Sequence, residues 1–285
     1  MISLALAMCI SYKVFMNPKI SIIMGVYNCA DTLEESINSI LSQTYTNWHF
    51  IICDDCSVDN TYQILEQYQN KYPDKFTLLK NETNMGLNFT LNKCLEMCDG
   101  ELIARQDGDD VSLPDRFEKE IEILKNDQFA LVSSSMISFD ENGDFGLIKH
   151  PEIPTVNDFR FGSPFCHAPV IIRKKVMDEV GGYTVAEHLL RVEDYHLWFK
   201  IYAKGYIGYN IQEPLYKMRD DRNATKRRNF KNRMNETRLK YWGFKEISVS
   251  KKYYYYILRP FILGLIPIWF YSFLHRSKLK KDNVK

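Results

Sequence analysis

Asp107-Gly108-Asp109-Asp110 sets three carboxylates within four residues, directly after the apolar run Leu102-Ile103-Ala104. An extended strand sends successive side chains to opposite faces, so Asp107 and Asp109 are expected to point the same way from a strand's end. Like charges held that close repel, and one stays protonated unless a cation sits between them. A hard divalent ion with oxygen ligands, Mg²⁺ or Mn²⁺, resolves the conflict, and such ions are usually completed by substrate phosphates. The competing reading of an isolated D-x-D-D is a solvated acidic turn. Glu193-Asp194 has a similar alternative, an acidic first turn that favours the helix dipole. Cys53-Asp54-Asp55-Cys56 fits C-x-x-C, but no second such pair exists. Its two carboxylates would raise the thiol pKa, which argues against zinc or redox chemistry.

The elements that must position these residues follow from the apolar pattern. Ile20 to Val26 is a β-branched run that reads as a buried strand. Asp31-Thr32-Leu33-Glu34 is a capping pattern before Leu33, Ile37, Ile40 and Leu41 at helical spacing. His49 to Cys53 is a second strand ending at Asp54-Asp55, and Asp59 or Asn60 starts a helix through Leu65 and Tyr68. Phe76 to Leu79 is a third strand, Asn84-Met85-Gly86 a turn, and Leu87 to Met97 a helix. Glu101 to Gln106 is the fourth strand. Such alternation with short connections predicts right-handed βαβ units and a parallel sheet covered by helices. Ligands of such sheets bind beyond the carboxyl ends of the strands. Tyr27-Asn28, Asp54-Asp55 and Asp107 to Asp110 all stand at those ends and are expected to line one crevice. Further on, Ser112-Leu113-Pro114-Asp115 is a capping pattern for a helix through Phe117, Ile121 and Leu124. Leu131 to Phe139 and Val170 to Ile172 read as strands, and Leu197, Trp198 and Ile201 as a helical stripe.

The chain has 285 residues, 45% apolar and 26% charged, enough for a packed core. A net charge of +1 gives no reason to expect nucleic acid. Seven cysteines without a scaffold spacing point to reduced thiols in a cytoplasmic setting. The apolar residues Met1 to Ile10 lack a basic flank and are short for a spanning helix, so residues 1–17 are read as an N-terminal extension.

In their order these residues resemble the inverting glycosyltransferases of family 2, which have the GT-A fold. The resemblance runs from about Ile20 to Thr225. Val26-Tyr27-Asn28 looks like the family's "V-Y-N", and Asp54-Asp55-Cys56-Ser57-Val58-Asp59 like its "D-D-x-S-x-D". Asn84-Met85-Gly86 is similar to "N-x-G", and Asp107 to Asp110 with Pro114-Asp115-Arg116 to "D-x-D-D … P-x-R". Gly181-Gly182-Tyr183 with Glu193-Asp194 resembles "G-G-Y … E-D". The resemblance implies an α/β fold of GT-A type: a Rossmann-like, mostly parallel sheet with helices on both faces. It implies a nucleoside diphosphate sugar donor contacted by Val26, Tyr27, Asn28, Asp54, Asp55, Asn84, Gly86 and Asp107. Asp54 would accept a uracil N3–H, Asp107 would meet the ribose or assist the metal, Asp109 would bind Mn²⁺ or Mg²⁺, and Asp194 would be the general base. This chain has Gly25 where the family usually has Pro, Cys56 where it has Gly, and Leu91 where Arg is frequent. Arg219 and Arg222, after Leu215-Tyr216, could supply the missing cationic contact to the diphosphate.

The domain read from these features spans residues 18–225, and a tail spans 226–285. Lys226 to Lys240 is rich in Lys and Arg, and Tyr253 to Leu274 is the most apolar stretch. Arg259, Pro260 and Pro267, with basic residues on both sides, argue against a simple span. Interfacial helices on the cytoplasmic leaflet are the favoured expectation; packing on the chain's own domain or in a homodimer is the alternative. Such a tail suits a lipid-linked glycan acceptor in bacterial surface-polysaccharide assembly. A nucleotidyltransferase would need a Gly-rich basic loop after the first strand, which Tyr27-Asn28-Cys29-Ala30 does not provide. A sugar-nucleotide-binding or membrane interaction protein without turnover is the non-enzymatic alternative.

Overall fold

The computed structural model describes residues 17–220 and 230–265. It begins with strand β1 (Ile20–Val26), helix α1 (Leu33–Leu41), β2 (Trp48–Asp54), α2 (Thr61–Lys71), β3 (Phe76–Lys80), α3 (Leu87–Leu95) and β4 (Leu102–Arg105). β3, β2, β1 and β4 are neighbours in that order and all parallel, with Ile23 of β1 opposite Ile51. Buried on both faces, such strands read as continuous apolar runs. Ile20, Ile22 and Met24 pack with Leu33, Ile37, Phe117 and Ile121 on one face, while Ile23 packs with Leu91, Trp198 and Phe199 on the other.

The rest of the sheet is mixed. Short β5 (Val111–Ser112) is followed by α4 (Arg116–Leu124), β6 (Phe129–Asp140), β7 (Gly143–Ile148), β8 (Ile171–Arg173), α5 (Lys174–Val180), α6 (Glu193–Ala203) and β9 (Ile207–Arg219). From β4 the order continues β8, β6, β9, β5: β8 is antiparallel to β4 and β6, β9 is parallel to β6, and β5 is antiparallel to β9. The parallel, helix-covered half is as expected. β9 was not legible because Pro214 interrupts its pattern. The register slips between Ser134 and Ser135 let the ladder pass that proline.

Two capping patterns act differently from their reading. α1 takes Thr32 as its N-cap, with no side-chain cap bond, and the Thr32 hydroxyl instead donates to the Gly108 carbonyl at 3.0 Å. Ser112 lies buried in β5 and donates to Gln106 Oε1 at 2.7 Å, while Asp115 stands at the N-cap of α4. Both hydroxyls serve the acidic loop, which offers better acceptors.

The described tail is helix α7 (Phe230–Glu246), a 3-10 turn (Lys251–Leu258) and short α8 (Arg259–Gly264). Leu239, Phe244, Ile247, Val249 and Ile257 join the core that holds Trp198 and Phe199. Gly243 makes the approach of α7 to α6 close: a Cβ there would lie 2.5 Å from the Phe199 ring. Buried Lys240 donates to the Arg160 carbonyl at 3.2 Å. The described part of the tail is thus fastened to the domain. Among the described residues no helix is long and apolar enough to cross a membrane.

Candidate active site

The loops after β1 and β2 are stitched together. Asn28 N–H donates to Ser57 Oγ at 3.0 Å, and Val58 N–H returns a bond to Asn28 Oδ1 at 3.0 Å. Cys29 N–H donates to Thr61 Oγ1 at 2.8 Å, and Ala30 N–H to Asp59 Oδ2 at 3.1 Å. Asp59 also accepts Thr61 N–H at 3.0 Å, opening α2. Asn28 and Cys56 sit at φ of 53° and 64°. That left-handed conformation is tolerated by Asn and natural for Gly, which explains the family's glycine at the position of Cys56.

Asp54 and Asp55 point to different tasks. Asp54 is fully buried, and its two oxygens share Ser57 N–H at 3.3 and 3.2 Å. Asp55 accepts Met85 N–H, Gly86 N–H and Asn81 Nδ2, each at 2.8 Å. Its carboxylate therefore builds the Asn84-Met85-Gly86 turn, in which Asn84 is exposed and Gly86 has φ 85°. Val26 is buried beneath the acidic loop, while Tyr27 is exposed.

That third loop lies against the first. A Cβ on Gly108 would come 2.8 Å from Val26 Cγ1 and 3.3 Å from Cys29 Sγ, so only glycine lets the loops meet. Ser36 Oγ donates to the Asp107 carbonyl at 2.7 Å, and Gln106 Nε2 to the Asp110 carbonyl at 3.0 Å. The fully buried Arg116 supports this loop from below, donating to Ser112 Oγ at 2.9 Å and the Arg105 carbonyl at 3.1 Å. The Cys29 thiol is pushed up to about 11 by burial and then by Asp109, Asp59 and Asp107. The three loops meet at one end of the sheet.

The three carboxylates are distributed in a way strand alternation does not give. β4 ends at Arg105, and residues 107–110 form a turn closed by Asp110 N–H to the Asp107 carbonyl at 3.3 Å. Asp107 is half-buried and takes a two-pronged ion pair from Arg105, Nε at 2.7 Å and Nη2 at 3.0 Å. Asp110 is buried; its carboxyl is pushed well above the usual range by burial, then by Asp107 and Asp109. Its Oδ1 accepts Arg219 N–H at 2.8 Å. Asp109 is the exposed member. Crowding is relieved in the protein by an arginine at Asp107 and by a raised carboxyl at Asp110, and Asp109 is the exposed carboxylate of the three. Hard oxygen donors of this kind fit Mg²⁺ or Mn²⁺ with phosphate oxygens completing the shell. Among the described residues, no group of three or more His, Cys, Asp or Glu is placed to hold a metal by itself.

Arg219 is engaged rather than merely solvated: it donates to the Asp109 carbonyl at 3.0 Å, pairs with Glu35, and lies 4.5 Å over the Phe139 ring. Arg222 falls outside the described residues.

Asp194 is in the first turn of α6, half-buried. Its carboxyl is raised, chiefly by burial and also by Glu193, against the lowering effects of the Tyr195 backbone, Ser163 and Arg105. Arg105 links the two sides. It pairs with Asp107, donates to the His167 ring, and His167 Nε2 lies 2.9 Å from the Tyr183 hydroxyl. Burial, then Arg105, holds His167 well below the usual range, so its imidazole is neutral. The loop carrying Tyr183 is pinned by Asn92, which donates to the Tyr183 carbonyl at 2.7 Å and accepts Tyr183 N–H at 2.9 Å. Leu91, where an arginine was missed, is buried in the core. Gly25 faces α3, where a Cβ would already meet Thr90 Cγ2 at 3.1 Å. His196 packs on Trp242, ring centres 5.0 Å apart.

Sequence reasoning missed Arg105, Gln106 and Tyr216, whose hydroxyl accepts Asp107 N–H at 3.2 Å. The available signal was Arg105-Gln106 itself, polar residues at the end of an otherwise apolar strand.

Residues 21–181 match the family described as Glycosyl transferase family 2. The chain is 40% identical over 263 residues to "Putative glycosyltransferase EpsE" of Bacillus subtilis (strain 168), spanning 92% of this chain and 95% of that one. It is 31% identical over 276 residues to the UDP-Gal:alpha-D-GlcNAc-diphosphoundecaprenol beta-1,3-galactosyltransferase of Escherichia coli, covering 93% and 98%. Among solved structures it is similar to S. aureus TarS 1-349 in complex with UDP, at TM-score 0.65 and 20% identity, over 86% of this chain and 70% of that one. The mannosyltransferase PcManGT from Pyrobaculum calidifontis, in complex with GDP-Man and Mn2+, gives TM-score 0.61 at 17% identity, over 92% and 80%. With the acidic turn, the stitched loops and the matched span in agreement, the chain belongs to glycosyl transferase family 2 and is a glycosyltransferase.

Proposed function

We propose that the chain transfers a sugar, with inversion, from a nucleoside diphosphate donor, preferentially a UDP-sugar, to a hydroxyl of a lipid-linked glycan. The reaction serves bacterial surface-polysaccharide assembly at the cytoplasmic face of the membrane. The observation that carries this reading is the joining of the loops after β1, β2 and β4 at one end of the sheet, with Asp109 exposed there and with Arg105, which grips Asp107, acting also on Asp194. The name of the E. coli relative, which specifies UDP-Gal and GlcNAc-diphosphoundecaprenol, supports donor and acceptor class.

Tyr27, exposed beside the acidic loop, would stack on the base. Asp54, after accepting one N–H, keeps lone pairs for a base imino proton. Asp107, fixed by Arg105, presents an oriented carboxylate toward the ribose. Asp109, assisted by Asp107, would hold a divalent ion, which when bound would offset charge on the departing diphosphate. Asp194 takes the proton of the acceptor hydroxyl as its oxygen attacks the anomeric carbon, and the carbon–oxygen bond to the diphosphate breaks on the opposite face. A raised carboxyl is a better base near neutral pH than an ordinary one. Attack from the opposite face needs no covalent enzyme intermediate.

Asp194→Asn tests the assignment, with donor binding read by calorimetry and transfer by product formation. Intact donor binding with transfer reduced at least ~100-fold is expected of a lost general base. Unchanged transfer would remove Asp194 from the chemistry.

A further inference from the structure

We propose that the surface formed by the 3-10 turn and α8 seats this enzyme on an anionic lipid surface. Tyr255, Leu258, Ile262 and Leu265 are 66%, 56%, 55% and 63% exposed. In a 3-10 turn residues three apart eclipse, and in an α-helix residues three and four apart share a face. The spacing 255, 258, 262, 265 therefore places all four on one side. Phe161, itself 53% exposed, extends that side through its edge contact with Tyr256 at 5.6 Å. Isolated exposed apolar residues are ordinary, but a contiguous row of large ones marks an interaction surface.

Charge selects the occupant. Lys251, Lys252 and Arg259 are exposed beside the row. In the sequence no Asp or Glu occurs between Glu246 and Asp282, and the apolar, aromatic stretch after Leu265 ends in Arg276, Lys278, Lys280 and Lys281. An apolar row with aromatic residues and purely basic flanks is the composition of a segment that lies in the headgroup region of an anionic leaflet. A second copy of the same basic face would be repelled. The mount is firm: Arg259 donates to the Phe161 carbonyl at 3.0 Å, Ser250 N–H to Asn157 Oδ1 at 3.1 Å, and α7 packs against the helix that carries Asp194. The surface is thereby attached to the helix that carries Asp194. The proposal rests on the lipid-linked reading for its purpose, and on the surface itself for its ligand.

The test is co-sedimentation of the full chain with vesicles of phosphatidylcholine alone or with 30% phosphatidylglycerol, at low and high salt. Binding is expected to the anionic vesicles, weaker at high salt, and reduced about tenfold or more in Leu258→Glu/Ile262→Glu. Transfer to a soluble acceptor analogue should be unchanged in that variant. Equal vesicle binding by wild type and variant overturns the proposal. So does a dimer that the variant dissolves without vesicle binding by either protein, or a lower melting temperature with unchanged partition, which would assign the row to the chain's own tail. A wild type that binds vesicles but transfers no sugar would sink the functional reading and leave this one standing.

Discussion

At the scale of single residues, the acidic turn shows how four neighbouring positions acquire different work. Asp110 is buried and bonded to the Arg219 backbone, Asp107 is held by Arg105, and only Asp109 is exposed. Asp109→Ala should therefore abolish the dependence of donor affinity on Mn²⁺, read by calorimetry with UDP, while leaving the melting temperature of the free protein within about 2 °C, as expected of an exposed site. An unchanged Mn²⁺ effect would show that Asp109 is not a ligand. The cluster itself was legible because so dense a charge is unusual after a buried strand. Its division of labour was not, because it depends on where β4 stops and on an arginine whose partner is chosen by the turn. Asp55 teaches the same lesson. Its oxygens accept from Met85, Gly86 and Asn81, so it builds the neighbouring turn, and the motif alone did not show this.

Among elements, the packing of α7 on α6 decides whether the tail is an appendage or a part of the domain. Gly243 and Phe199 form that contact, and a methyl group at Gly243 would overlap the ring at 2.5 Å. Gly243→Ala is expected to lower stability by ~1–3 kcal/mol in urea melts. Adding Phe199→Leu should recover part of the loss, since the overlap is with the ring; strictly additive losses would place the strain elsewhere. The basic, weakly apolar sequence of α7 gave no sign of this seat, because one glycine and a few buried side chains make it. β1 to β4, in contrast, were legible nearly residue by residue, since β-branched runs and helical spacing are local signals.

For the whole molecule, the buried pair under the active-site loop sets a pH response. Arg116 and Glu120 are both fully buried with Nε to Oε2 at 3.2 Å. Burial raises the Glu120 carboxyl to about 8, against the lowering pull of Arg116. Between the ordinary carboxylate range and about pH 8 the folded chain retains a proton that the unfolded chain has released. This contribution to stability is full below about pH 4.5 and lost as pH rises through about 8. Glu120→Gln should flatten the decline of melting temperature between pH 5 and 8; an unaltered slope would assign the titration to another group.

The amino-acid sequence by itself determined the parallel half of the sheet, the strand ends that carry the polar residues, and the family to which they belong. Each follows from patterns within a few residues: apolar runs, turn residues and clustered charge. The tertiary structure decided which aspartate is exposed, which carboxylates are spent on holding loops, how β9 passes its proline, and that the described tail is seated on the domain. Those outcomes depend on partners brought together from distant parts of the chain, such as Arg219 on Asp110 and Gly243 on Phe199, and local pattern carries no record of them.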